Sequence, residues 1–175
     1  VKGEQIASLE GIEAFINLEY LNCNANLLTS LDVSYNTLLT SLFCSDNYLS
    51  SLVVNSNVEL AILQCNDNQL TTIDVSNCDS LCGLDISNNL LTSLDISNNR
   101  ALISGNCHYA SGLGIGGMPS LQKVCVWEDF SHESYINTEG SPNVYFTTDC
   151  TYDKNVYIPD TAFLHALIDE GVDTN

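Results

Sequence analysis

The chain has 175 residues, enough for one domain and a small additional element. Four basic residues, Lys2, Arg100, Lys123 and Lys154, stand against 22 acidic ones, for a formal charge of −18. Nucleic acid and anionic membranes are therefore excluded as partners, because little in the chain neutralises phosphate. No apolar run approaches the roughly 18 residues that cross a bilayer, so no transmembrane segment is expected. Cations, basic proteins and neutral glycans stay open.

Residues 1–17 carry Ile6, Leu9, Ile12 and Phe15 at three-residue steps leading into Leu18. They read as a partial unit of the pattern that follows, covering the open N-terminal end of a stack. The chain opens on Val1 without Met, as expected of a mature fragment.

Residues 18–113 are a repeat. Leu18, Leu28, Leu39, Leu49, Leu60, Leu70, Leu81, Leu91, Leu102 and Leu113 follow one another at steps of 10 or 11, so two half-units alternate with a period of 21. The shorter half reads LxxLxCxxNxL, as from Leu18 to Leu28, and the longer reads LxxLDVSxNxxL, as from Leu70 to Leu81. A long self-similar run at one period is the signature of a leucine-rich repeat. Leu21 and Cys23, or Leu31 and Val33, sit two apart, which puts both on one face of a short strand and leaves Asn22 or Asp32 outward. The Asn, Ser and Asp residues between strands suit turns, since their side chains bond local backbone. Nothing shows the 3.6-residue spacing of a convex helix. The expected fold is mainly β, a leucine-rich repeat solenoid of 21-residue coils with two short strands per coil. No coil buries its leucines alone, so coils must stack.

Two inward columns follow from the period. Cys23, Cys44 and Cys65 are 21 apart, Ile86 takes the next rung and Cys107 resumes the column. Isoleucine replaces cysteine where the thiol serves as a small buried hydrophobe, so these thiols are expected reduced and structural. Asn26, Asn47, Asn68 and Asn89 form a second ladder that Ala110 ends; Asn36, Asn57 and Asn99 form a third, with Cys78 on its missing rung. An inward amide donates and accepts at once and satisfies turn backbone otherwise buried unpaired. At Cys78 a local rearrangement or a water is expected, because a thiol substitutes poorly.

The outward positions differ between the two sides. On the valine side, Ser30/Asp32, Ser51/Val53, Thr72/Asp74 and Ser93/Asp95 repeat with little change, as a solvated face would. Stacked Asp74 and Asp95 repel by about 0.9 kcal/mol in water at ~4.8 Å, which solvation and screening absorb without a bound cation. On the cysteine side, the pairs Tyr20/Asn22, Ser41/Phe43, Ile62/Gln64, Gly83/Asp85 and Ser104/Asn106 vary. Tyr20, Phe43 and Ile62 are expected to form an exposed apolar patch, with Ser45, Tyr48, His108 and Tyr109 extending its edge. Exposed aromatics beside polar groups are the usual anchors of an interface.

Beyond Leu113 the rhythm stops. Gly112-Leu113-Gly114-Ile115-Gly116-Gly117 reads as a flexible connection and does not fit a phosphate-binding fingerprint, which needs a strand before it and a helix after. Residues 114–150 are expected to form a small C-terminal β cap, with strands at 121–127, carrying Trp127, and at 143–147. Cys125 and Cys150 lie off the ladder; a bond between them across this cap is one option and free thiols the other, since connectivity is not readable from spacing. Cys78 and Cys82, four apart across a turn, are expected free. In residues 151–175, Asp160 is an N-cap, Phe163, Leu164, Leu167 and Ile168 follow at helical spacing, and Gly171 is a C-cap, giving a short C-terminal helix.

These half-units resemble the nested 21-residue repeats of bacterial surface proteins related to the internalins, with a cysteine ladder. The resemblance covers Ser8 to about Trp127. It implies a secreted or surface-anchored bacterial protein whose array binds a protein or a glycan. The C-terminal stretch resembles a helical element that leads into a D-x-N-x-D-G calcium loop and a further array. Only Asp173 and Asn175 of that loop are present, an incomplete calcium site, and no cofactor is expected. The same ending implies a protein that continues into a second unit.

The residues support a non-enzymatic recognition module. Its expected surface is the cysteine-side strand face, with Tyr20, Asn22, Ser41, Phe43, Ile62, Gln64, Asp85, Asn106, His108 and Tyr109. The alternative is a rigid spacer presenting other domains. No nucleophile or metal spacing involves His108, His132 or His165, and the sequence does not set the oligomeric state.

Overall fold

Three-residue strands are the unit of this molecule, because a turn of Asn, Ser and Asp interrupts the chain every ten or eleven residues. The computed structural model describes residues 1–103, 112–130 and 136–150. In chain order the strands are β1 (Tyr20–Asn22), β2 (Ser30–Asp32), β3 (Ser41–Phe43), β4 (Ser51–Val53), β5 (Ile62–Gln64), β6 (Gly83–Asp85), β7 (Ser93–Asp95), β8 (Gly112–Gly114), β9 (Lys123–Cys125), β10 (Ile136–Asn137) and β11 (Tyr145–Thr147). All pairing is parallel. The cysteine side is one six-stranded sheet in the order β1-β3-β5-β6-β8-β10. The valine side is two sheets, β2-β4 and β11-β9-β7. This is a mainly β solenoid whose coils repeat every 21 residues.

Register holds the inward leucines over one another. Leu21 pairs with Leu42, Leu42 with Leu63, Leu63 with Leu84 and Leu84 with Leu113, and all five are buried. Between the two sides lies a narrow filling of Leu28, Leu39, Leu49, Leu60, Leu70, Leu81 and Leu91, each fully buried and contributing about 2 kcal/mol. Residues 1–17 add a 3-10 turn at Ile12–Ala14, and Ile6, Leu9, Ile12 and Leu18 pack against the first coil. Phe15 does not join them; it is exposed.

The asparagine ladder works as a vertical clamp. Asn47 Nδ2 donates to Cys23 O one coil down and to Cys44 O in its own coil, while its Oδ1 accepts from Leu28 N at 3.0 Å. Asn68 and Asn89 repeat the set on Leu49 N and Leu70 N. Asn26 does the same for the N-terminal segment, accepting from Glu4 N and Ile6 N. The second ladder is weaker: Asn36, Asn57 and Asn99 each donate twice, but their buried Oδ1 atoms have no partner among the described residues. Cys78, between Asn57 and Asn99, places its thiol 3.5 Å from Val54 O. In the same coil residues 72–74 leave the strand conformation, which separates β4 from β7. The break in the valine-side sheet lies at residues 72–74, while the turn at Cys78 itself keeps the backbone bonds of the other coils.

The stack continues past Leu113. Gly83 pairs with Gly112, a step of 29 residues where 21 would serve, so eight extra residues lie between them. Leu113 therefore takes the position of Leu84 and not that of Leu91. Ile115 follows Ile86 as the next rung of the cysteine column, and Met118 follows Asn89; both are buried. Cys107 and Ala110, expected on those rungs, lie outside the described residues. Of the glycines expected as a flexible connection, Gly112 and Gly114 are in the sheet and Gly116 and Gly117 form the turn after it. A Cβ on Gly114 would come 2.5 Å from Asp85 Oδ1, and one on Gly117, whose φ is +65°, would collide with the Asn88 amide. Ser141 replaces asparagine in the last coil, accepting from Met118 N and donating to Ile115 O. Beyond them β9 and β11 stack on β7, and Cys125 is bonded to Cys150 with Cα atoms 5.4 Å apart, inside the ordinary range for a disulfide. Cys82 is also disulfide-bonded, which overturns its expected free thiol. The proposed C-terminal helix lies outside the described residues.

Three substitutions test this account by their effect on stability. Asn68→Ala leaves the Leu49 N–H without a partner, while the Cys44 and Cys65 carbonyls keep their bonds from Asn47 and Asn89. It should cost about 2 kcal/mol in urea unfolding. Asn57→Ala, whose Oδ1 accepts nothing, should cost about 1 kcal/mol less. Ala25, Asp46, Asp67 and Asn88 occupy one turn position in successive coils at φ of 55–57°. Alanine tolerates that left-handed region worst, so Ala25→Asn should raise stability by about 0.5–1 kcal/mol.

Candidate recognition surface

The cysteine-side sheet brings Tyr20 and Phe43 together on its outer face. Their ring centroids are 5.4 Å apart at an interplanar angle of 40°, within the range of favourable aromatic contact. Tyr20 is exposed and Phe43 half-buried. Because Tyr20 pairs with Ser41 and Asn22 with Phe43, the rings meet diagonally across the first two rungs, with Asn22 and Ser41 at their sides. Gln64 and Asp85 continue the row of Phe43, both half-buried.

Ile62 does not join this patch. It keeps only 6% of its surface, and its row neighbours Gly83 and Gly112 are buried too. Strand alternation assigns a side chain to a face of the sheet; it does not say whether that face is covered. Ser45 is likewise buried, donating from Oγ to Asn66 Oδ1 at 2.6 Å, so it adds nothing to the edge. Tyr48 is exposed on a turn. Asn106, His108 and Tyr109, like Asp173, Asn175 and the remaining histidines, lie outside the described residues.

The last outward residue of a strand has a structural duty in most coils. Asn22 Oδ1 accepts from Asn24 N, Asp85 from Ser87 N and Asn137 from Glu139 N. On the valine side Asp32, Asp74 and Asp95 cap their turns in the same way through Ser34, Ser76 and Ser97. The Ser76 hydroxyl and amide lower the pKa of Asp74. These carboxylates are turn caps. Phe43 and Val53 stand at the corresponding positions and make no such bond through their side chains.

A second group of exposed apolar residues lies elsewhere, and two of them, Tyr35 and Ile16, are more exposed than Tyr20. Ile16, Tyr35, Leu38 and Val58 are exposed on the turn that carries the chain from the valine side back to the cysteine side. A reading confined to strand faces misses them; comparing the same turn position across coils would have found them.

The remaining chemistry is inert. Asp95 lies close to Cys125 and Cys150, but sulfurs joined in a disulfide offer no thiolate to a metal. Trp127, Phe130 and Phe146 border a cleft of about 490 Å³, yet their rings pack on one another at 4.9 and 5.3 Å and close the C-terminal end. Cys23, Cys44, Cys65 and Cys78 are free and fully buried. Burial, with the neighbouring Cys44, pushes Cys23 up to about 12. Contact with the Cys65 thiol and burial hold Cys44 well above its ordinary value. Burial, then Asp74 and Asp79, raises Cys78 to about 11.

The functional domain of InlJ from Listeria monocytogenes, described as including a cysteine ladder, superposes on this chain with a TM-score of 0.59 at 26% sequence identity. The chain is an internalin-like leucine-rich repeat solenoid. The match covers 83% of this chain and 37% of the InlJ chain. No family model and no curated protein matches it. No helix among the described residues is long and apolar enough to cross a membrane.

The ladder thiols of this internalin-like array give a direct check. A rise from 9.0 to about 12 at Cys23 lowers its thiolate fraction about a thousandfold. Cys23, Cys44, Cys65 and Cys78 should therefore resist iodoacetamide at pH 8 and react only in denaturant. Since the pKa values of Cys23, Cys44 and Cys78 are raised in the folded state, their stabilising contribution is complete below about pH 9 and, for Cys23, is lost as pH rises toward 12. Unfolding free energy should accordingly fall above pH 9.

Proposed function

We propose that the array is a non-catalytic recognition module of a bacterial surface protein, binding a protein or glycan through the outer face of its cysteine-side strands. The observation that carries this reading is the Tyr20–Phe43 pair. Asn22, Asp85 and Asn137 cap their turns from the Phe43 position, and Phe43 instead offers an aromatic surface beside Tyr20. Two rigid rings flanked by Asn22, Ser41 and Gln64 supply an apolar anchor with hydrogen-bonding groups around it. A disulfide at Cys125–Cys150 supports an oxidising, extracellular setting.

A rigid spacer is the second reading, favoured by the nearly unbroken stack and by the chain's covering 37% of the InlJ chain.

Tyr20→Ser/Phe43→Ser separates the two. Screened on a glycan array and a panel of host and microbial surface proteins, the double variant should lose at least about tenfold in affinity for any ligand the wild type binds. Its Tm should fall by no more than about 4 °C. Equal binding by both forms would favour the spacer.

A further inference from the structure

The turns that return the chain from the valine side to the cysteine side have one backbone. Asn36 N bonds Val33 O, Asn57 N bonds Val54 O, Cys78 N bonds Val75 O and Asn99 N bonds Ile96 O, all at 2.9–3.0 Å. Leu39, Leu60, Leu81 and Leu102 close the same turns on residues 36, 57, 78 and 99. Each coil is thus a control for the others. One outward position reads Tyr35, Ser56, Asn77, Asn98; the next reads Thr37, Val58, Asp79, Arg100; a third reads Leu38, Glu59, Ser80, Ala101. Ile16 precedes Thr37 in the second column, because Asn36 Nδ2 donates to Phe15 O as Asn57 Nδ2 donates to Asn36 O.

The later coils form this turn with Ser, Asn and Asp, so folding does not require apolar side chains there. Nevertheless Ile16, Tyr35, Leu38 and Val58 are 63%, 68%, 46% and 47% exposed and fall on consecutive coils. These four large exposed apolar groups occupy three adjacent rungs ~4.8 Å apart, Tyr35 and Leu38 sharing the middle one, and together they make an apolar edge of the kind that marks an interaction site.

The charge around them selects the partner. Residues 3–99 contain twelve Asp and Glu and no Lys, Arg or His, and Glu59 stands in the turn column of Leu38 itself. A second copy of this chain would bring like charge against like charge, and an anionic surface would be repelled. We propose that this turn edge docks a basic protein surface, with apolar side chains seated on Ile16, Tyr35, Leu38 and Val58 and Lys or Arg facing the surrounding carboxylates. This site is separate from the Tyr20–Phe43 face.

The test borrows its substitutions from neighbouring coils. Tyr35→Asn, Leu38→Ser and Val58→Thr each install the residue found at that turn position elsewhere, and leave the net charge unchanged. Random peptides displayed on phage are selected on the whole chain, and the leading peptide is synthesised. The selected peptides should combine Lys or Arg with aromatic or aliphatic residues. The synthetic peptide should bind at least about tenfold more weakly to the triple variant, bind Tyr20→Ser/Phe43→Ser unchanged, and weaken as NaCl is raised from about 50 to 300 mM. Selection of no such peptide overturns the proposal. So does equal binding by a triple variant with wild-type circular dichroism, a loss confined to the Tyr20/Phe43 variant, or a wild-type dimer in sedimentation that the triple variant splits. Should the triple variant unfold, Tyr35→Asn alone should weaken the peptide at least about threefold; no change there is equally fatal.

Discussion

Everything in this molecule depends on each coil lying squarely over the one before, because the backbone hydrogen bonds of a three-residue strand are satisfied only by its neighbours. An isolated coil has no core and two unpaired edges per strand. The asparagine ladder converts stacking into register: Asn47 and Asn68 each tie a carbonyl of the preceding coil to one of their own and receive an amide from between the strands. A slip of one residue would break all of these bonds at once and would turn the leucines outward. The thiols of Cys23, Cys44 and Cys65 fit the same columns because they are small and apolar; the raised pKa of Cys23 follows from burial, and that of Cys44 from its contact with the Cys65 thiol and from burial.

Register also explains how the stack absorbs irregularity. The eight extra residues before Gly112 leave the sheet intact, since β8 still pairs with β6, and the cost of a longer surface loop grows only slowly with its length. Substitution on a rung is different. Cys78 in place of asparagine coincides with loss of strand at residues 72–74, and Ser141 keeps its coil attached because its hydroxyl both accepts and donates. The two ladders differ: Ser141 stands on the one whose groups donate and accept, whereas Cys78 stands on the one whose amides only donate, and its thiol replaces two N–H donors by one long contact to Val54 O.

This logic shows why the solenoid was legible in the residues and part of its surface was not. The period, the inward Leu, Cys and Val columns and the asparagines are each fixed by one coil's contact with the next, so spacing alone carries them. The position of Leu113 was not, because leucine occupies both the strand position of Leu84 and the turn position of Leu91, and an insertion changes which one follows. The burial of Ile62 was not, because alternation orients a side chain without saying what lies over the sheet. Tyr20 and Phe43 were visible as departures from a polar row; Tyr35, Leu38 and Val58 were equally visible as departures from a polar turn, once turns are aligned like strands.

A repeat therefore separates the demands of folding from other demands within a single chain. Positions that hold one residue type in every coil, such as the inward leucines, are explained by packing. Positions that accept Ser, Asn, Asp and Arg in turn, on unchanged backbone, carry no folding constraint strong enough to select tyrosine or valine. Exposed apolar surface has no favourable interaction with water and raises the risk of nonspecific association. The charge of −18 opposes that association between copies, which leaves such a patch available for a partner of opposite sign. The rigid stack, the apolar edge and the absence of basic residues across the first four coils are thus parts of one arrangement: the ladder fixes the spacing of the anchors, and the carboxylates decide what is admitted to them.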